Sequence, residues 1–229
     1  MKVLLAKGPL ARLLGSDVYS LYPLGLMYVA AMLEQRGHEV VIYHDDVSNL
    51  QPIPSNPARF KPMSVPLPSE EMLQPFVSVL NGFRPDVVGV SYCTADRGSA
   101  HAIATLAKQR GIRTVAGGVH PSLLPVDALS LFDAAVVGEG DNPFAASAFE
   151  TEDTDYLVVP PVENLDAIMP NRNAVIGGER YASFLRGMVH TQRGCPYRKA
   201  NQSAPAFMQG VNVGPQIASN CCSLDMLFD

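Results

Sequence analysis

Four short segments of this chain carry glycines or small hydroxyl and thiol side chains: Gly8-Pro9, Ser91-Tyr92-Cys93-Thr94, Gly117-Gly118-Val119-His120-Pro121 and Gly138-Glu139-Gly140. Each follows a run of apolar residues. Glycine permits close backbone approach and positive φ, while Ser91 and Thr94 carry hydroxyls that can hydrogen-bond a polar ligand group. A large flat ligand with an inserted tail would suit such a set. Strand-end glycines also make tight turns, and Ser91 serves a structural hydrogen bond equally well; three glycine sites on one edge favour the ligand. His120 admits two readings, ligand contact and turn stabilisation. Cys93 is read as a small buried hydrophobe and is assigned no catalysis. His38 and His101 read as strand-entry and helix-surface residues.

The elements that must position these segments alternate along the first 150 residues. Apolar or β-branched runs at 2–6, 39–43, 86–91, 114–116 and 134–137 predict five buried strands. Helical spacing predicts helices over 23–33, opening on Pro23 and stopping at Gly37, and over 99–110, ending at Gly111; 122–131 and 142–149 are shorter candidates. The alternation predicts an α/β, doubly wound, five-stranded parallel sheet with a C-terminal extension, whose ligands sit at the carboxyl ends of the strands. Residues 47–68 hold six prolines and read as an insertion outside the core. Residues 156–159 could form an edge strand, 160–173 an extended connector, and 199–229 a tail with no clear period.

Composition narrows the classes. In 229 residues, 47% hydrophobic and 17% charged residues match a globular protein, and no apolar run approaches the roughly 20 residues that cross a bilayer. The first residues lack a signal-peptide pattern, which predicts a soluble, cytoplasmic protein. Seventeen basic against 22 acidic residues, with no basic stripe, argue against nucleic acid as a partner. Four cysteines, two of them adjacent at Cys221 and Cys222, are poorly spaced for a disulfide framework and read as reduced thiols.

In order along the chain, Tyr22-Pro23-Leu24-Gly25-Leu26, Arg36-Gly37-His38-Glu39-Val40, Pro85-Asp86-Val87-Val88-Gly89-Val90-Ser91, Gly117-Gly118-Val119-His120-Pro121 and Val137-Gly138-Glu139-Gly140 resemble the successive signatures of cobalamin-dependent radical S-adenosylmethionine proteins. Later, Leu165-Asp166-Ala167-Ile168-Met169-Pro170 resembles the linker before the catalytic barrel of that family. His190-Thr191-Gln192-Arg193-Gly194-Cys195-Pro196-Tyr197 resembles the barrel's first strand and the start of its cluster loop. The resemblance covers about residues 1–198. It implies a Rossmann-like cobalamin-binding domain over 1–150 and a linker and the start of a truncated radical S-adenosylmethionine region over 151–198, and it does not extend over the tail at 199–229.

The same resemblance implies the site. Cobalamin would lie across the strand ends with its nucleotide tail among the loops. Ser91, Thr94, Gly117, Gly118, Gly138, Glu139 and Gly140 would line the tail, residues 8–22 would approach the lower face of the corrin, and the cofactor-binding set comprises these with Gly8, Pro9, Tyr22, Cys93, Val119 and His120. No Asp-x-His-x-x-Gly motif occurs, so no protein histidine is expected on cobalt and the cofactor is expected base-off. The family's iron-sulfur cluster needs three thiolates spaced C-x3-C-x2-C. Cys195 fits the first position, a remnant ligand position, but Lys199 and Gln202 occupy the other two. An iron-sulfur cluster and S-adenosylmethionine are therefore not expected as cofactors.

The sequence thus predicts a cobalamin module acting as carrier, store or sensor, with no catalysis of its own. Methyl carriage would require a partner protein to supply both substrates. Two other classes compete. A degenerate or fragmentary radical S-adenosylmethionine methyltransferase or cyclase would have been favoured by an intact cysteine spacing. A flavodoxin-like interaction domain without corrinoid is disfavoured because Lys7-Gly8-Pro9-Leu10-Ala11-Arg12-Leu13-Leu14-Gly15 lacks dinucleotide and phosphate-loop glycine patterns.

Overall fold

Strands made of consecutive valine, leucine and alanine have no polar side to give to water, so both faces of their sheet must be covered. The computed structural model describes residues 1–9, 23–45, 67–152 and 155–180, all within one compact unit, Met1–Met188. In it β1 (Lys2–Lys7), β2 (Glu39–His44), β3 (Val87–Ser91), β4 (Arg113–Gly117) and β5 (Ala134–Val137) form one parallel sheet. A sixth strand, β6 (Tyr156–Val158), pairs in parallel with β5, giving the order β2-β1-β3-β4-β5-β6. The sheet has six strands rather than the five expected. The edge strand suspected after residue 150 joins it because Ala135, Val136 and Val137 still present unpaired backbone there.

Side chains alternate between two cores, as a strand period of two requires. Val3 and Leu5 of β1 pack with α1 (Leu24–Gln35); Leu4 and Ala6 pack with α2 (Glu70–Phe83) and α3 (Arg97–Lys108). Gly89 in the middle of β3 is a packing requirement: a Cβ there would lie 2.8 Å from Leu5 and 2.9 Å from Phe149. Helix α1 buries residues around most of its circumference, including Leu24, Met27, Ala30, Ala31 and Leu33. A helix apolar all round needs a second cover. The connector supplies it, through Asn171 N–H donating to Met27 O at 3.0 Å and Ile168, Ala174 and Val175 joining the same core. Val175 also bridges Ile42 in parallel, so the segment after residue 155 covers both sheet edges.

Helix α2 was not expected. Its signals were local: Ser69 caps it by accepting from Met72 N–H, Glu70 and Glu71 occupy the first turn, and Leu73, Phe76 and Leu80 are buried at helical spacing. Pro75 inside the helix, following the proline-rich stretch, hid that period. The candidate helix at 122–131 is instead two short ones, α4 (Val119–Leu123) and α5 (Pro125–Leu129), divided at Leu124 because Pro125 starts a new first turn. The candidate at 142–149 is a 3-10 turn, Pro143–Ala146, running into α6 (Ser147–Glu150). No described helix is long and apolar enough to cross a membrane.

Candidate functional site

Strand order reverses between β1 and β3: the chain moves outward from β1 to β2 and returns to β3 on the other side of β1. In open parallel sheets the crevice at the carboxyl ends of two such strands is the natural ligand site. It is bounded here by Gly8-Pro9 and by Ser91-Tyr92-Cys93. Gly8 and Pro9 are buried, and a Cβ on Gly8 would meet Ser99 Cβ of α3 at 2.6 Å. Gly8 therefore lets the first turn of α3 close over the end of β1.

The glycines that follow divide into two kinds. Gly118 has φ 96°, and a Cβ there would lie 2.9 Å from Ser91 Oγ and from Tyr92 O. Gly138 has φ 108°, and its Cβ would lie 2.8 Å from Val159 O. Both are demanded by backbone conformation and by neighbouring chain, the tight-turn role. Gly117 is different, because among the described residues no atom lies within 4 Å of where its Cβ would be. Gly140 makes an ordinary tight contact, 3.4 Å to Val29, and Val119 is half-buried at the start of α4.

Ser122 binds these turns together, accepting from Gly138 N–H at 3.1 Å and donating to Gly118 O at 2.8 Å. Tyr92 N–H donates to Gly117 O at 3.0 Å, and His120 N–H donates to Tyr92 O at 3.2 Å. Glu139 turns toward the connector, where Oε2 accepts from Val162 N–H at 2.7 Å, and Asn142 donates to Pro160 O at 2.8 Å. The β5 end of the edge is thus held by the segment that carries β6.

Beneath the β3 and β4 loops runs a chain of polar contacts. Thr94 Oγ1 lies 3.1 Å from His120 Nδ1, and His120 Nε2 lies 2.9 Å from Asp127 Oδ2. Arg97 donates to both oxygens of Asp127 at 2.7 Å. These hydrogen bonds, Arg97 first and His120 second, hold the Asp127 carboxyl well below the usual carboxylate range. The His120 ring is buried and stacks on Tyr92 at 5.2 Å between centroids, and Tyr92 stacks on Phe132 at 5.7 Å. Burial, then the Asp127 charge, pushes the Tyr92 phenol up, so it stays protonated.

Buried Asp96 accepts from Cys93 N–H at 2.6 Å and lies 3.4 Å from Lys7 Nζ. Burial first, then the Asp96 charge, raises the Cys93 thiol, the reverse of an activated nucleophile. Burial, with Lys7 adding to it, lowers His44 to about 3. At this edge His44 and His120 are therefore inside the protein rather than presented to a ligand.

Of the expected site residues, Gly8, Pro9, Ser91, Cys93, Thr94, Gly117, Gly118, Val119, His120, Gly138, Glu139 and Gly140 all fall at the carboxyl ends of β1, β3, β4 and β5. Tyr22 and Cys195 lie outside the described residues, as do Lys199, Gln202, nearly all of the proline-rich stretch and the tail. Reading the sequence missed Ser122, Asp127, Arg97 and Asp96. His120 and Asp127 are seven residues apart across the α4–α5 break, a pairing that no helical period announces.

The chain matches the family model described as "B12 binding domain" over residues 13–148. It is 30% identical over 132 residues to bacteriochlorophyllide d C-8(2)-methyltransferase of Chlorobaculum tepidum, covering 53% of this chain and 29% of that protein. It is 33% identical over 132 residues to cytidylyl-2-hydroxyethylphosphonate methyltransferase of Streptomyces wedmorensis, covering 54% of this chain and 23% of that protein. The chain thus corresponds to less than a third of either relative's length. No solved structure matches it. A matched region that takes in four of the six parallel strands and every glycine turn from β3 to β5 leaves one conclusion: the chain belongs to the B12-binding domain family.

Proposed function

We propose that this chain holds cobalamin across the carboxyl edge of its sheet, with the nucleotide tail among the β3, β4 and β5 loops and no protein histidine on cobalt. The observation that carries this reading is that a Cβ on Gly117 would meet no described atom within 4 Å, whereas at Gly8, Gly118, Gly138 and Gly140 it would meet neighbouring chain. Such a position suits a bulky group entering between the loops. Thr94 is exposed and Ser91 half-buried, so their hydroxyls are available for the ligand's polar groups. Both ring nitrogens of His120 are engaged and His44 is buried, which fits a cofactor with neither of these histidines on cobalt.

Bound cobalamin supplies a metal that accepts and donates a methyl group. Both relatives are methyltransferases by name, which favours a methyl-carrier role over storage or sensing. In this reading the residues here bind and orient the cofactor, and the methyl donor and acceptor are held by other protein. Residues 190–197, which lie outside the described residues, resemble in sequence the start of a radical S-adenosylmethionine region, with Cys195 a lone remnant ligand position, so no cluster is expected on this chain.

The test is a titration with methylcobalamin and hydroxocobalamin, followed by desalting and a visible spectrum. Stoichiometric retention with a base-off spectrum supports the proposal. Complete loss of colour at micromolar protein overturns it and favours an interaction domain without corrinoid. Iron and sulfide content after anaerobic reconstitution is expected to be negligible.

A further inference from the structure

Proline limits what the connector can offer the sheet. In Val159-Pro160-Pro161-Val162 the two prolines have no N–H, so Val159 and Val162 carry the only backbone donors. Both go to β5 and its turn: Val159 N–H donates to Val137 O at 2.9 Å, and Val162 N–H donates to Glu139 Oε2 at 2.7 Å. Asn142 Nδ2 donates to Pro160 O at 2.8 Å, and a Cβ on Gly138 would lie 2.8 Å from Val159 O. On its other side the turn is held by Ser122, which accepts from Gly138 N–H and donates to Gly118 O. Contacts therefore run without a gap from the connector, through the β5 turn and Ser122, to the glycine pair after β4.

From this geometry we infer that Glu139 is a positioning residue that acts through the connector: it clamps Val162 to the β5 turn and so holds the turn in the conformation that receives the cofactor. The turn needs such a clamp because Glu139 stands between Gly138 and Gly140, and glycine imposes little backbone restraint of its own. A Gly-Glu-Gly turn left unclamped must be ordered when the ligand arrives, and that ordering opposes binding. With the connector docked, the ordering is complete beforehand. The inference rests on cobalamin lying at this edge, and it moves Glu139 from the groups that line the tail to the groups that hold the lining in place. It also makes the segment after β5 part of the binding unit, although that segment contributes no group to the carboxyl ends of β1, β3 and β4.

The experiment measures methylcobalamin affinity of the full chain, the urea midpoint, and the exchange rate of the Val162 amide in the absence of cofactor. V162P removes the N–H and leaves Glu139 untouched, whereas V162A keeps the N–H and loses only side-chain bulk. E139A removes the acceptor, and E139Q keeps an amide oxygen in its place. V162P and E139A are each expected to weaken methylcobalamin about three- to tenfold, the effect of one hydrogen bond, and the double variant no further than either alone. V162A and E139Q are expected within about twofold of wild type. E139A is expected to speed exchange at Val162 and E139Q to leave it slow. Weakening by E139A with V162P unaltered means that Glu139 touches the cofactor directly, which overturns the inference. Losses that add in the double variant, or a lowered urea midpoint with unaltered affinity in both single variants, overturn it as well. If V162P fails to fold by circular dichroism, the Glu139 pair decides: affinity lost and exchange accelerated together in E139A, both restored in E139Q, supports the clamp, and affinity lost with exchange unchanged overturns it. Wild type that retains no corrinoid sinks the cobalamin reading and the inference with it; wild type that retains it while V162P binds equally well sinks only the role of Glu139.

Discussion

The two edges of the sheet solve opposite problems. At the amino edge several strand starts are held by carboxylates near the surface: Lys2 N–H donates to Asp86 at 2.7 Å, Lys2 Nζ lies 3.7 Å from Glu39, and Asp133 accepts from Thr114 N–H and Oγ1 at 2.8 Å. Those contacts hold strand ends in register. At the carboxyl edge the charges lie deeper, with Asp96 almost fully buried, and glycines replace side chains. One edge is held by carboxylates near the surface; among the described residues, the other places a carboxylate in the interior and glycines at the strand ends. A family of binding domains needs that asymmetry, since a ligand can displace water from an open edge but cannot displace a salt bridge without loss.

The sharpest way to break this contrast is at the two adjacent glycines. Gly118→Ala forces a side chain into a left-handed φ against backbone and is expected to cost about 2–4 kcal/mol in urea unfolding. Gly117→Val meets no described atom within 4 Å of its Cβ, so stability is expected within about 1 kcal/mol of wild type while cobalamin retention falls by about tenfold or more. Equal destabilisation by the two changes would erase the distinction between turn glycine and space glycine.

Acid provides the next test. His44 has a depressed folded value, so its contribution to stability is complete above an unfolded histidine near 6.5 and is lost as pH falls toward about 3. The loss is expected to reach a few kcal/mol, and His44→Asn should flatten the urea midpoint against pH over that range. The Asp127 carboxyl is likewise depressed, so its stabilisation is present above about pH 4 and fades below it. Because the Arg97–Asp127 pair is more than a third exposed on each side, Asp127→Asn is expected to cost only about 1 kcal/mol at neutral pH. The gap from wild type should begin to narrow below about pH 4 and close only once pH has fallen below the depressed Asp127 value. At the amino edge, Glu39→Gln removes an exposed partner and is expected to move the melting temperature by less than about 2 °C.

The same contrast explains what could be read from residue order. The strands over 2–6, 39–43, 114–116 and 134–137 were legible because a strand buried on both faces needs an unbroken apolar run, and their carboxyl ends then located the glycine sets. Helix α2 was not legible because its buried positions flank Pro75, and β6 was only a candidate because Tyr156 and Val158 are exposed and carry little burial signal. Least legible was the support of the site. Ser122 bridging Gly118 and Gly138, and Asp127 reaching back to His120 and Arg97, depend on turns whose direction no period encodes.

Hydrogen exchange with and without methylcobalamin tests the central claim most directly, because it asks which edge the ligand covers. The account predicts protection confined to the amides after β1, β3, β4 and β5, strongest around Thr94, Gly117 and Gly138, with the starts of the strands unchanged. Protection at Lys2, Asp86 and Arg113 instead, or uniform protection across both edges, would contradict it.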